Sequence, residues 1–285
     1  MQYFKILLFA FSMSVFTVVS QETKKDTIPE KPARPAFEGS YLINNPTNVL
    51  FAKKTLEIQI KHRFGLVNGG DNDLIGIWAP SNIRLGFSYA VGDRWTLGFG
   101  TTKFDRLQDF SLKIALFRQT RSNKVPISAS YFGNFTIDAR KKQDLKFDQD
   151  RFSFFHQIVF AKRFSPDFSL MIAPSISHYN VVESDMNNDL FAIAAGARCK
   201  ITPQTAITME YNHPFASEVD GLSTDYEPKA GFGIGVEFST SGHAFQLFIT
   251  NYNALVPQKD MMFNQNDFFN GDFLIGFNIT RAYRF

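Results

Sequence analysis

Cysteine is nearly absent. Cys199 stands alone in 285 residues, so the chain can form no internal disulfide and no thiolate metal site. Past Val19 there is no long apolar run, which excludes further transmembrane helices. No charge of one sign dominates: 30 basic and 27 acidic residues leave +3, too even a balance for a nucleic-acid partner. The motifs of common catalysts are missing too. There is no Gly-x-Ser-x-Gly elbow, no His-Glu-x-x-His and no phosphate-binding lysine loop. The run Gly231-Phe232-Gly233-Ile234-Gly235 has period two and leads into Glu237-Phe238. It fits small lumen-facing residues better than a phosphate cradle. The histidines at 62, 156, 178, 213 and 243 do not pair at ligand spacing, so neither a metal nor a cofactor is expected.

Phenylalanine is abundant, with 33 copies. Phe suits pleated, half-buried surfaces and is little used in turns. Many Phe without long apolar runs point to strands with one apolar face.

Residues 1–20 have the form of a signal peptide: Lys5, an apolar run from Ile6 to Val19, and Val18-Val19-Ser20 before Gln21. The run is shorter than the roughly 20 residues of a membrane span. No cysteine adjoins the cut for lipid attachment. Residues 21–36 are polar, with Pro29, Pro32 and Pro35, and fit a flexible tail. Residues 37–54 contain the turn signal Asn44-Asn45-Pro46 and fit a segment that enters or plugs a lumen.

From Thr55 to Phe285 the dominant period is two. Leu56, Ile58 and Ile60 alternate with Glu57, Gln59, Lys61 and Arg63. Ile83, Leu85, Phe87 and Tyr89 alternate with Arg84, Gly86, Ser88 and Ala90. Trp95, Leu97 and Phe99 alternate with Thr96, Gly98 and Gly100. The pattern returns around Phe110–Leu116, Phe232–Phe238 and Phe273–Thr280. Further strands fit Pro126–Asp138, Phe152–Arg163, Phe168–Tyr179, Leu190–Ile201, Thr205–His213 and His243–Tyr252. Segments of about ten residues with apolar and small or polar positions in turn are the dyad pattern of a membrane barrel. The expected fold is all-β: an antiparallel transmembrane β-barrel of about 12 strands.

The connections agree with this. The even ones are mostly tight, as at Gly92-Asp93, Ser165-Pro166-Asp167, Thr202-Pro203-Gln204 and Thr240-Ser241-Gly242. The odd ones are mostly long: 65–81, 138–151, 180–189, 212–229 and 253–272. Short periplasmic turns and long extracellular loops are an outer-membrane trait that a soluble β-sandwich has no reason to keep. Trp95, Tyr89, Tyr131, Tyr211 and Tyr283 suit an aromatic girdle near strand ends. The chain stops at Phe285, with Tyr283, Ile279 and Phe277 on the same face and Arg281 interrupting the row. This resembles the terminal signal by which outer-membrane barrels meet their assembly machinery.

The stretches His62-Arg63-Phe64-Gly65, Val67-Asn68-Gly69-Gly70 and Asn82-Ile83-Arg84-Leu85-Gly86-Phe87-Ser88-Tyr89, with Phe117-Arg118-Gln119, resemble a family of exported Bacteroidota outer-membrane β-barrels of unassigned function, DUF5777. The resemblance is clearest over residues 37–135. Ile75-Gly76-Ile77-Trp78 departs from the aromatic-Gly-Leu-Asp run expected in the first long loop. The resemblance implies compartment and fold, and brings no catalytic residues.

The candidate site is a set of inward-facing charges: Glu57, Lys61, Arg63, Arg84, Lys113, Arg198, Lys200, Glu210 and Glu237. They fit either a channel selecting a small solute or an internal network that closes a narrow barrel. One sign gathered at a constriction favours transport, and opposite signs in pairs favour a plugged scaffold. The first expectation is an outer-membrane pore or small-solute transport protein, embedded in lipid. The second is a non-conducting scaffold whose long loops bind envelope partners. A lipid-facing enzyme is the third. It would need a nucleophile and base, or paired carboxylates, converging from neighbouring strands. The loop acids Asp220, Asp225, Glu227, Asp267 and Asp272 fit solvated turn residues instead.

Overall fold

The computed structural model describes residues 30–141, 147–215, 226–240 and 242–285. Pro32–Phe285 form one compact unit, and of the other, Met1–Lys31, only Glu30 and Lys31 are described. The expected signal peptide, part of the tail, and the loop acids Asp220 and Asp225 lie outside the described residues.

Alternating side chains build the strands. In β1 (Thr55–Leu66) Glu57, Gln59, Lys61 and Arg63 are buried, while the residues between them are half-buried. β2 (Asn82–Gly92), β3 (Trp95–Thr102), β4 (Leu107–Phe117) and β5 (Ser128–Asp138) follow. Then come β6 (Phe152–Arg163), β7 (Phe168–Tyr179), β8 (Asp189–Lys200) and β9 (Thr205–Phe215). β10 (Gly231–Ser239), β11 (His243–Thr250) and β12 (Leu274–Arg284) complete the set. Each strand pairs antiparallel with its chain neighbour, and β12 closes on β1, with Leu56 opposite Tyr283 and Ile60 opposite Ile279. Closure leaves no sheet edge, the condition for strands to survive in hydrocarbon. No described helix is long and apolar enough to cross a membrane, which does not bear on a barrel.

Burial is inverted relative to a water-soluble protein. Phe87 is 44% exposed and Ile172 58%, whereas Arg63 is 0% and Glu210 1%. Apolar groups face outward because their solvent is lipid, and polar groups face one another inside.

The start of β1 and the end of β12 lie at one rim, where Thr55 pairs with Arg284 and the Phe285 amide donates to the Lys54 carbonyl at 3.0 Å. We call this the terminal rim and the opposite one the loop rim. Four of the five connections at the terminal rim are tight. The β4–β5 connection, residues 118–127, is longer, and Thr120 there bridges to Pro32. The long β11–β12 connection at the loop rim is not all loop. It contains a short helix, α1 (Pro257–Phe263), opened by proline at its first turn, where a missing N–H costs nothing. β9 runs on past Tyr211 to Phe215, two residues beyond the expected end at His213.

Candidate functional site: the occupied lumen

The chain between Ala36 and Phe51 enters the barrel from the terminal rim and turns back. The Thr47 amide donates to the Ser40 carbonyl at 2.9 Å and the Leu42 amide to the Asn45 carbonyl at 2.9 Å, giving a hairpin with its tip at 42–45. The Asn44-Asn45-Pro46 turn signal lies at this tip. Phe37, Leu42 and Val49 pack on Val159, Met171, Ala173 and Ala194 of the inner wall.

Glu210 receives the tip. Its carboxylate accepts from the amides of Ile43 at 3.3 Å, Asn44 at 3.0 Å and Asn45 at 3.2 Å, and from Asn44 Nδ2 at 2.6 Å. Successive backbone N–H groups curved around one anion form a nest. Opposite, Arg63 donates to Asn44 Oδ1 at 2.8 Å and Asn278 Oδ1 at 3.0 Å, while Asn278 Nδ2 donates to the Ile43 carbonyl at 2.8 Å. Lower in the hairpin, Glu57 accepts from Ser40 Oγ at 2.7 Å and Lys113 Nζ donates to the Ser40 carbonyl at 2.9 Å. Lys61 Nζ stands 3.2 Å over the Tyr41 ring.

The remaining charges pair along the wall. Arg84 grips Asp109 at 2.8 and 2.7 Å, and Asn134 Nδ2 adds a third bond to Asp109 at 3.0 Å. Arg198 Nε meets Glu237 Oε1 at 2.8 Å, and Gln246 Nε2 reaches Glu237 Oε2 at 3.0 Å. Of the nine charges singled out from the sequence, Lys200 alone is only half-buried, at the end of β8. Asp109 was not among them although it is the partner of Arg84. It lies one position before the stretch Phe110–Leu116 in which the alternation was read, on the same inward face as Ser111 and Lys113.

The loop rim is closed separately. Gln258 of α1 donates to Thr136 Oγ1 at 2.8 Å, Asn134 Oδ1 at 3.1 Å and Ser153 Oγ at 3.3 Å. Met261 and Met262 pack with Tyr252, Phe132 and Phe155 around Tyr41 of the hairpin, so the two closures meet in the lumen. Asp260 accepts from the Ala254 amide at 2.9 Å, and its burial pushes the carboxyl up to about 7. Glycines make room. A Cβ on Gly231 would fall into the Tyr252 ring, and one on Gly233 would lie 3.2 Å from Ile43. Between Ser40, Glu57 and Lys113 a cavity of about 20 Å³ remains, room for about one water.

The histidines stay apart. His62 stacks on Phe277 with centroids 4.9 Å apart, His156 meets Tyr131 at 2.6 Å, and His178 meets Asp189 at 2.8 Å. Among the described residues no group of three His, Cys, Asp or Glu could hold a metal.

No curated protein sequence matches the chain. Several solved structures align with it, one of them at a TM-score of 0.50. The NanC porin aligns over 81% of this chain and 100% of its own at 7% identity, with a TM-score of 0.50. An outer-membrane channel of the COG4313 group from Pseudomonas putida F1 aligns over 82% and 97% at 14% identity, with a TM-score of 0.49. The KdgM porin aligns over 81% and 99% at 6% identity, with a TM-score of 0.46. At these identities the likeness is one of architecture. The profile of one family, described as a membrane-bound β-barrel domain, matches residues 37–283, and the chain belongs to that family, DUF5777.

Proposed function

We propose that this chain is an outer-membrane, pore-type barrel for small solutes, held closed by the hairpin 36–51 from one side and by the α1 loop from the other. The carrying observation is the chemistry of the contact between hairpin and wall. Glu210, Arg63, Asn278, Lys113 and Glu57 hold the hairpin by hydrogen bonds to its backbone and small polar groups. Water can replace each of these, so the wall left behind would be a hydrated, charged channel. Gln157 points the same way: both its side-chain polar atoms are buried with no partner among the described residues, a costly state outside a hydrated lumen.

A second reading, a non-conducting scaffold, is favoured by the pairing of Arg84 with Asp109 and Arg198 with Glu237, which leaves those charges little field for a solute. Catalysis belongs to neither reading. On either, the terminal rim faces the periplasm, Phe285 is read by the assembly machinery, and the loop rim faces outward to envelope partners.

The test is single-channel recording of Asn45→Cys/Asn212→Cys in a Cys199→Ser background. Asn45 Nδ2 lies 2.8 Å from Asn212 Oδ1, so a short bis-methanethiosulfonate cross-linker, attached by disulfides under oxidising conditions and released by reductant, spans the two thiols and ties hairpin to wall. The proposal expects stepwise openings when reduced and silence when oxidised. Openings indifferent to redox state overturn the hairpin as the closure, and silence in both states favours the scaffold.

A further inference from the structure

On the outer wall, β8 presents two alanines where its neighbours present bulk. Ala195 is in register with Ile172 on one side and Tyr211 on the other, and Ala197 with Leu170 and Met209. The result is a lipid-facing groove of about 480 Å³ with almost wholly apolar walls, running toward the terminal rim. There it meets a second cavity of about 690 Å³, lined by Arg34, Arg121, Lys162 and Arg163 and, among the described residues, by no carboxylate. Lys162 and Phe164 belong to both cavities, with Lys162 Nζ 5.1 Å from the Phe164 ring. Arg163 is braced by the Pro166 and Pro35 carbonyls at 2.8 and 3.3 Å, which fixes one wall of the basic cavity.

A groove in hydrocarbon is filled by whatever hydrocarbon fits it, because empty wall forfeits dispersion contacts. A cationic cavity at its mouth, at headgroup level, selects which molecule brings that hydrocarbon. We propose that one anionic phospholipid binds here, an acyl chain along Ala195 and Ala197 and its phosphate between Lys162, Arg34 and Arg121. The groove lies on the opposite side of the wall from the lumen and the basic cavity at its rim, so the site stands whether or not the barrel conducts.

The test is quantification of lipid retained by the full chain after extraction from vesicles of equimolar phosphatidylglycerol and phosphatidylcholine. The wild type retains phosphatidylglycerol in about tenfold excess, as expected when cations meet a net negative headgroup rather than one whose phosphate is offset by choline. Lys162→Gln/Arg34→Gln retains both lipids about equally, whereas Ala197→Phe, which fills the groove, retains little of either. Heat-modifiable migration on gels confirms that each variant is folded, and Ala195→Leu replaces Ala197→Phe should that variant not fold. Equal retention of the two lipids by the wild type, or undiminished phosphatidylglycerol in a folded groove-filling variant, overturns the site.

Discussion

The Glu210 carboxylate holds Asn44 three ways, through its backbone amide at 3.0 and 3.1 Å and its side-chain amide at 2.6 Å. A strand residue thereby anchors a segment 166 positions earlier in the chain. Glu210→Gln keeps the shape but loses the charge, and charge-assisted hydrogen bonds are about twice as strong as neutral ones. Docking of the hairpin weakens by about 1–2 kcal/mol, roughly tenfold in the undocked population. Maleimide labelling of Asn45→Cys in a Cys199→Ser background speeds up by that factor.

The Arg84–Asp109 pair is buried and bidentate, so its partners are not independent. Removing either one leaves an uncompensated buried charge, at about 3–5 kcal/mol. Urea midpoints of Arg84→Met and Asp109→Leu fall accordingly, and the double variant recovers most of the loss.

Strands were legible because an inner wall of polar groups and an outer wall facing lipid impose period two on every segment. Glu57, Lys61 and Arg63 alternate with Leu56, Ile58 and Ile60 for that reason alone. The hairpin imposes no period. Its backbone meets Glu210 and Asn278 and its side chains meet Val159, from strands far apart in the chain, and only the Asn44-Asn45-Pro46 turn marked it. The helix α1 was missed because seven residues give a 3.6 period too little length. What the charges bind depends on register across the barrel, which places Asp109 beside Arg84 and which the alternation within one strand does not specify.

Asp260 makes the loop closure sensitive to pH. Its ordinary value is 3.8, and burial in the seated loop raises it to about 7, against the Ala254 amide and Arg63, which lower it. The seated state therefore binds more protons than the released one, and seating weakens as pH rises from about 4 to 7, then levels off. A spin label at the exposed Gln265→Cys gains mobility over that window, and Asp260→Asn flattens the response.

Gly231 lies directly under the Tyr252 ring. Gly231→Ala forces that ring away and costs about 1–3 kcal/mol as overpacking. Tyr252→Ala in the same chain restores the urea midpoint part of the way. No recovery would mean that Gly231 serves the strand and not the ring.

The account turns on whether the hairpin and the α1 loop are all that fill the lumen. The most direct measurement is planar-bilayer conductance of a refolded chain lacking residues 37–51, with 255–270 replaced by a short Gly-Ser link, beside the full chain. The account predicts large, steady steps from the shortened barrel, with ion selectivity that changes in Arg84→Ala and Lys113→Ala. A shortened barrel that migrates as folded on a gel yet passes no current would contradict it.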